Sequence, residues 1–553
     1  MNPELYIDFS ISKNRVLYIA KLLLEANDWI KSVDVQEKLS ISPAQFSRDL
    51  KKVRNLLAGY DIQIVSKPHY GIHVLGKEYD IRRCLSSVFS QLWKSNGEDS
   101  EQQCIRSIIL NACESKEFEV SSFTINNLTG YLYATYKRIG YPLSIVLSKS
   151  NKEKLKDCME YELAQTILCR MSENFDINFD EEDRYAIAIQ LRAMKIGNET
   201  NTISMSLVEK MIEKIREEYG IDLEKNLDFK MMLAVHVTPL IERVKYKINI
   251  ENPLLAEIKS KFLLEYDISL CCAKVIEKEY KCILSEDEIG NLAIYIKIAL
   301  SQMETQRKKK VLLICSTGRG TVQLLKLQIE TLYRDEIENL DFCDIYQFSK
   351  LDLSKYDAVF TTIRLPENAV FSSIPVFFVD SLMQISDEKN IELFLKKGLD
   401  INNQLKFFRK DMFFGDIDVK DQNECIHEIV QRLNKVCELP DGFEKAIERR
   451  EALTSTYFEN SRVAFPHPDR ILTDYSFVSV SVLKKPISWA NGKVQVVLLS
   501  SFEKKFIKNY QDVFQIISKI ITEKKYVDML VEHPKYETLR QVVWMITGSN
   551  EES

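Results

Sequence analysis

The sequence predicts a multidomain chain, mostly α-helical with an α/β C-terminal part. Three observations predict it. Residues 99–305 carry apolar residues at helical spacing, with sparse Gly and Pro, and they repeat at a constant offset of 105 residues. Beyond residue 310 short apolar runs alternate with helical stretches, the pattern of α/β units. Residues 13–75 read as three short helices followed by two alternating strands. A length of 553 residues accommodates roughly three to five domains. Hydrophobic content of 45% and charge of 28% are ordinary for globular cores.

The first helix is predicted over 13–26, with Val16, Ile19, Ala20 and Leu23 on one face. Val33, Val35 and Leu39 mark a short second helix. Ser42 is the expected N-cap of a third helix, 43–57, with Pro43 at its first position. Phe46, Leu50, Val53 and Leu57 line its inner face. Residues 62–65 and 71–74 alternate around Pro68-His69-Tyr70-Gly71, the pattern of a hairpin wing. This is a winged helix-turn-helix. Residues 12–83 hold thirteen Lys/Arg against eight Asp/Glu, in a chain whose net charge is −6. A helix docked in a major groove needs short polar side chains at its start and basic ones toward the phosphates. Ser42, Gln45, Ser47 and Arg48 are therefore candidates for base edges and the helix start. Lys51 and Lys52 suit phosphates, and His69 and Tyr70 stand at the wing tip.

The helical repeat has several stations. Tyr131 and Arg138 match His236 and Arg243. Glu160-Tyr-Glu-Leu163 matches Glu265-Tyr-Asp-Ile268. Asp183 and Ile187-Ala-Ile-Gln190 match Glu288 and Leu292-Ala-Ile-Tyr295. Two similar helical bundles follow, 99–198 and 203–305, preceded by a linker helix at 84–98. His236 and Arg243 lie seven residues apart, on one helix face.

Two further side chains suit phosphoryl chemistry. Val311-Leu-Leu-Ile314 leads into Cys315 and then Ser316-Thr317-Gly318-Arg319-Gly320-Thr321. A strand end opening through such a turn into a helix aims backbone N–H groups at an anion and lowers a thiol's pKa. Cys315 is thus a candidate acceptor, and residues 316–321 are its candidate cradle. His467 sits in Phe465-Pro-His-Pro468, where the prolines restrict the direction of the imidazole. Arg450, in Glu448-Arg-Arg-Glu451, is a candidate clamp for phosphate oxygens. Most of the twelve cysteines read as small buried hydrophobes, and none has zinc-site spacing. No metal or cofactor is expected. No signal peptide or long apolar run is visible, so a cytoplasmic chain with no membrane contact is expected.

In this order the modules resemble a regulator of the bacterial sugar phosphotransferase system, of the mannitol/lichenan-operon activator type. The winged helix-turn-helix covers 1–83. The repeated module looks like the phosphotransferase regulation domain, or PRD, at 99–198 and 203–305. Residues 308–396 resemble an EIIB domain of the galactitol type. Residues 403–549 resemble an EIIA domain of the mannitol/fructose type, through Glu448-Arg-Arg-Glu451, Thr454-Ser-Thr456 and Phe465-Pro-His467. The resemblance implies phosphorylation at His236, Cys315 and His467, with Arg243 and Arg450 as arginine partners. PRDs of this kind usually carry two acceptor histidines each. Here the matching positions hold Tyr131, Gln190, His236 and Tyr295, so only His236 carries over. Asp512 falls where related EIIA-like domains often hold a second histidine, and Pro468 stands where glycine is common.

The resemblance further implies a DNA-binding transcriptional activator of carbohydrate-utilisation genes, a homodimer on double-stranded DNA, and not an enzyme. Its phosphoryl partners would be HPr and sugar-specific phosphotransferase components. Three other readings remain open at this stage: a Mga-like virulence regulator with degenerate PRDs, a phosphocarrier enzyme, and an RNA-binding antiterminator. The missing sugar-transport domain weighs against the second, and the helical start against the third.

Overall fold

The computed structural model describes residues 8–96, 99–143, 149–195, 202–305, 308–315, 319–334, 336–343, 355–363, 376–379, 395, 405–458, 461–503 and 507–547. The chain divides into two compact units. The first contains residues 1–205 and 234–250, and the second contains 206–233 and 251–553.

In the first unit, helices Ser12–Glu25, Ser32–Leu39 and Pro43–Ala58 precede strands β1 (Gln63–Lys67) and β2 (Gly71–Leu75). Ser42 caps the third helix, its Oγ accepting from Gln45 N at 3.2 Å. The strands pair from Gln63↔Leu75 to Lys67↔Gly71, which leaves Pro68, His69 and Tyr70 as the turn. Ile30 bridges Ile72 on the other side of β2. At Gly71, φ is +115°, and a Cβ there would lie 2.1 Å from the Ile30 carbonyl oxygen. Only glycine fits so close a backbone approach. Ile19, Leu23, Val35, Phe46, Val53, Leu57 and Val74 are buried at the centre of this module.

Helix Glu78–Asn96 follows and runs across the residue-83/84 boundary expected from the sequence. It packs on both Ser12–Glu25 and Ser122–Lys137, burying Cys84, Leu85, Val88 and Phe89. Helices Ser100–Ser115, Ser122–Lys137, Met159–Phe175 and Glu181–Ala193 build the first helical bundle. Asp99 with Gln102, and Asp180 with Asp183, form capping boxes that start two of them.

The boundary between the units falls inside helix Leu227–Lys245, so the bundle read from sequence as 203–305 contributes to both. The second unit holds helices Leu255–Lys261, Leu263–Tyr280 and Glu286–Thr305. Strands β3 (Lys309–Ile314), β4 (Ile337–Cys343), β5 (Ala358–Thr361) and β6 (Val376–Phe378) then form a parallel sheet of order β4-β3-β5-β6. Val311 and Leu313 face one core, and Leu312 and Ile314 the other, as a sheet buried on both sides requires.

The last α/β module has a mixed sheet. Its strands are β7 (Phe413–Ile417), β8 (Tyr457–Phe458), β9 (Val463–Ala464), β10 (Phe477–Trp489) and β11 (Gly492–Ser501), in the order β7-β10-β11-β9-β8. Val478, Val480, Val482, Val496 and Leu498 pack against Ile507–Thr522 and the two helices after it. Phe477, Val497 and Leu499 face Gln422–Leu433 and Phe443–Leu453. The alternation of period two thus lets β10 and β11 supply both cores.

Candidate functional site

In the winged helix, Ser42, Ser47, Arg48, Lys51 and Lys52 are exposed. Gln45 is half-buried. Its amide donates to Asp49 Oδ2 at 3.0 Å, and its carbonyl accepts from Arg48 Nη2 at 2.6 Å. Expected from sequence at base edges, Gln45 here supports Arg48 from behind. Lys52 Nζ donates to Ser12 Oγ at 2.8 Å, which ties the third helix to the first. Asp49 is buried and receives Arg15 Nε at 2.8 Å. Burial pushes its carboxyl up, but the bonds from Arg15 and Gln45 outweigh that and hold it below its usual value. At the wing tip His69 has φ +67°, and Lys67 Nζ lies 3.8 Å from the Tyr70 ring centre. The face therefore presents Ser47, Arg48, Lys51 and the His69-Tyr70 tip.

Tyr131, which matches His236 in the repeat of the first helical bundle, is buried, and its hydroxyl has no hydrogen-bond partner among the described residues. Arg82 Nη1 donates to Asp183 Oδ1 at 2.5 Å, and Arg138 Nη2 to Glu78 Oε2 at 2.7 Å. His236 lies half-buried on helix Leu227–Lys245. Arg243 is buried, with Nη1 donating to the Ala193 carbonyl at 2.9 Å.

Cys315 directly follows β3, at the point where the strand order reverses, between β3 and β5. In parallel α/β sheets that crevice is where ligands bind. The thiol is buried, and Thr362 Oγ1, just past β5, donates to Sγ at 3.0 Å. Ser316, Thr317 and Gly318 lie outside the described residues. Arg319, Gly320 and Thr321 open the following helix, Arg319–Leu332, and their side chains are also outside that description.

His467 has the most completely built surroundings. After β9 the chain leaves the sheet at Phe465, whose N–H donates to Thr456 O at 3.2 Å. Pro466 O then accepts from Ser500 N at 3.2 Å. The loop is thereby pinned on both sides. The His467 Nδ1–H points at the Phe465 carbonyl, 3.0 Å away, which makes Nε2 the nitrogen left to act as nucleophile. Arg450, in the last turn of helix Phe443–Leu453, has a side chain only 6% exposed. Its Nη1 donates to Thr454 O at 3.0 Å, and its Nε lies 3.1 Å from His467 Nε2.

A third member comes from far away in sequence. Asp267, on helix Leu263–Tyr280, places Oδ1 3.0 Å from both His467 Nε2 and Arg450 Nε. Its Oδ2 accepts from Tyr219 at 3.0 Å. Burial pushes the Asp267 carboxyl up, but facing His467 and Arg450 outweigh it and hold it well below the usual carboxylate range. Sequence reasoning missed Asp267 and Tyr219. The available signal was the acidic residue inside the repeated Glu-Tyr-Asp-Ile station. Asp512 lies on helix Ile507–Thr522, with its side chain outside the described residues.

Comparison with known proteins finds three kinds of module along the chain. The Mga helix-turn-helix domain model matches residues 7–89. The PRD domain model matches twice, at 106–193 and 209–299. The model for the phosphoenolpyruvate-dependent sugar phosphotransferase system EIIA 2 domain matches 406–543. The probable licABCH operon regulator of Bacillus subtilis (strain 168) is 25% identical over 552 residues, covering 96% of this chain and 85% of the relative. Transcriptional regulator ManR of the same organism is 22% identical over 558 residues, covering 95% and 84%. A mannitol-specific phosphotransferase enzyme IIA component of Staphylococcus aureus (strain N315) is 26% identical over 140 residues, which is 25% of this chain and 94% of that one.

A DNA-binding helix-turn-helix joined to PRD and EIIA modules defines a transcriptional regulator. More narrowly, this chain is a PRD-containing regulator of the phosphotransferase-system type. Among the described residues, no helix is long and apolar enough to cross a membrane.

Proposed function

We propose that the chain is a cytoplasmic, homodimeric activator of carbohydrate-utilisation genes, and that His236, Cys315 and His467 accept phosphoryl groups. The observation that carries this reading is His467. Its Nδ1 is engaged by a backbone carbonyl, and its Nε2 lies beside a buried arginine, on a chain that also holds a DNA-binding module. HPr would phosphorylate His236, and sugar-specific components would exchange with Cys315 and His467. The parallel sheet of 309–378 with Cys315 at its switch point supports an EIIB-like role. Each phosphoryl group adds about −1.5 to −2 charges and seeks arginines. With Tyr131 and Gln190 in place of histidines, the first PRD would serve in assembly and signal relay rather than as an acceptor.

In vitro transcription tests the proposal, using promoter fragments that the protein selects from genomic DNA. Transcript yield should change when phosphoenolpyruvate, enzyme I and HPr are supplied. The response should vanish in a triple variant with Ala at 236, 315 and 467. Preference for RNA hairpins over duplex DNA, or yield indifferent to the donors, would overturn it.

A further inference from the structure

The contact around His467 joins two modules of the second unit. Asp267 belongs to a PRD helix, and His467 and Arg450 to the EIIA-like module. More of the same seam surrounds it. Lys259 Nζ donates to Thr454 Oγ1 at 3.1 Å and pairs with Glu286 at 2.9 Å. Ser518 Oγ donates to Ser260 O at 2.8 Å. Leu263 is buried in the core that contains Val463 and Phe465.

A carboxylate within 3.0 Å of Nε2, on the guanidinium that flanks it, stands where the oxygens of a phosphoryl group on Nε2 would stand. The adjoining cavity is small, about 60 Å³, and its walls include Glu218, Asp267, Asp469 and Arg470. Asp469 is already paired with Arg449 at 2.9 Å, so a phosphoryl group formed on Nε2 would meet chiefly the carboxylate of Asp267 in a confined space.

We propose that the Asp267-bearing face of residues 255–280 is an intramolecular docking surface for the His467 face, with Asp267 in the phosphoryl position. Docking and phosphorylation of His467 then exclude each other. While docked, Asp267 covers the nucleophile. In the open form Nε2 attacks the phosphorus of a phosphocarrier's phosphohistidine. The donor P–N bond breaks as the His467 P–N bond forms, and the donor imidazole leaves. The phosphoryl oxygens take over Arg450, and like charge keeps Asp267 away. The face then freed, with Lys259 at its edge, carries the signal onward. This inference rests on the reading of His467 as a phosphoacceptor.

The test uses the full chain and hydrogen exchange read by mass spectrometry over residues 255–268 and 463–469. Exchange in both segments should rise together when phosphoenolpyruvate, enzyme I and HPr are added. Asp267→Ala should raise it without donors and speed labelling of His467 by roughly tenfold. His467→Glu, which sets a fixed negative charge against Asp267, should open the seam, and Asp267→Lys in that background should close it again. Labelled His467 with unchanged exchange, or His467→Glu as protected as wild type, would overturn the docking while leaving the phosphoacceptor reading intact. If no donor labels His467, the phosphoacceptor reading fails, and the His467→Glu and Asp267→Lys pair still decides whether the surfaces dock by charge.

Discussion

Asp49 is buried inside the winged helix, yet it should govern DNA binding. Its carboxylate is buried against Arg15, whose side chain is 10% exposed against 1% for Asp49. It also accepts from Gln45, which in turn holds Arg48. Asp49→Ala leaves the Arg15 charge buried without its counter-charge. Breaking such a pair costs about 3–5 kcal/mol. Arg15 keeps bonds to the carbonyls of Phe9 and Ser10, each at 2.7 Å, which points to the lower end, about 3 kcal/mol. In a unit of about 220 residues that lowers the melting temperature by roughly 6–12 °C. Freeing Arg48 from Gln45 adds about 0.5–1.5 kcal/mol of ordering cost on binding, a roughly two- to tenfold loss of affinity. The acid dependence has a definite sign. The folded Asp49 carboxyl is held below its usual value by Arg15 and Gln45 against the push of burial. Its stabilisation is therefore present above about pH 4 and is lost as pH falls through the folded value. Calorimetry between pH 3 and 7, with fluorescence anisotropy on duplex DNA, reads both effects. An Asp49→Ala protein with wild-type melting and affinity at pH 7 would refute the reasoning.

Gly71→Ala forces a Cβ to 2.1 Å from the Ile30 carbonyl oxygen at φ +115°; it should cost at least about 1–3 kcal/mol and weaken DNA binding, as melting and anisotropy would report. Arg450→Lys keeps the charge but cannot serve Thr454 O and the Nε2 position together; steady-state phosphate on His467 should fall by roughly tenfold, measured by mass spectrometry under conditions that spare phosphohistidine. Burial pushes the thiols of Cys84, Cys272 and Cys425 up to about 12, so brief iodoacetamide treatment at pH 8 should leave all three unmodified while the exposed Cys169 reacts, as peptide mapping would show.

Local features were the most legible in the sequence. Ser42-Pro43 announces a helix start because capping is a matter of adjacent residues, and the structure places that cap at Ser42. The strands within 477–499 show themselves through Phe477, valines and leucines that recur on both faces, with only Ser479, Ser481 and Gln495 among them in 477–483 and 494–499, because a sheet buried on both faces needs mostly apolar residues. His467 stands out through its two flanking prolines. Asp267 was invisible for the opposite reason. It reaches His467 across 200 residues, and an acidic residue at a helix position reads as a solvated face until the facing module is known. Gln45 shows the same limit on a smaller scale: glutamine at the start of a recognition helix suits a base edge, and only the buried Asp49 one turn on draws it inward. The boundary near residue 83 was misplaced because helix periodicity continues through Arg82 and Arg83, whose charges are buried in ion pairs rather than marking a linker.

If the chain reads the phosphotransferase system, phosphoryl groups from that system reach it above all at His467. The most direct measurement is reconstitution with phosphoenolpyruvate, enzyme I and HPr, with and without sugar-specific components, followed by mapping of the modified residues. Phosphate on His467 in the wild-type chain, and none at that position in His467→Ala, is the expected result. A wild-type chain that takes no phosphate at His236, Cys315 or His467 from any of these donors would rule out phosphoryl control of this regulator.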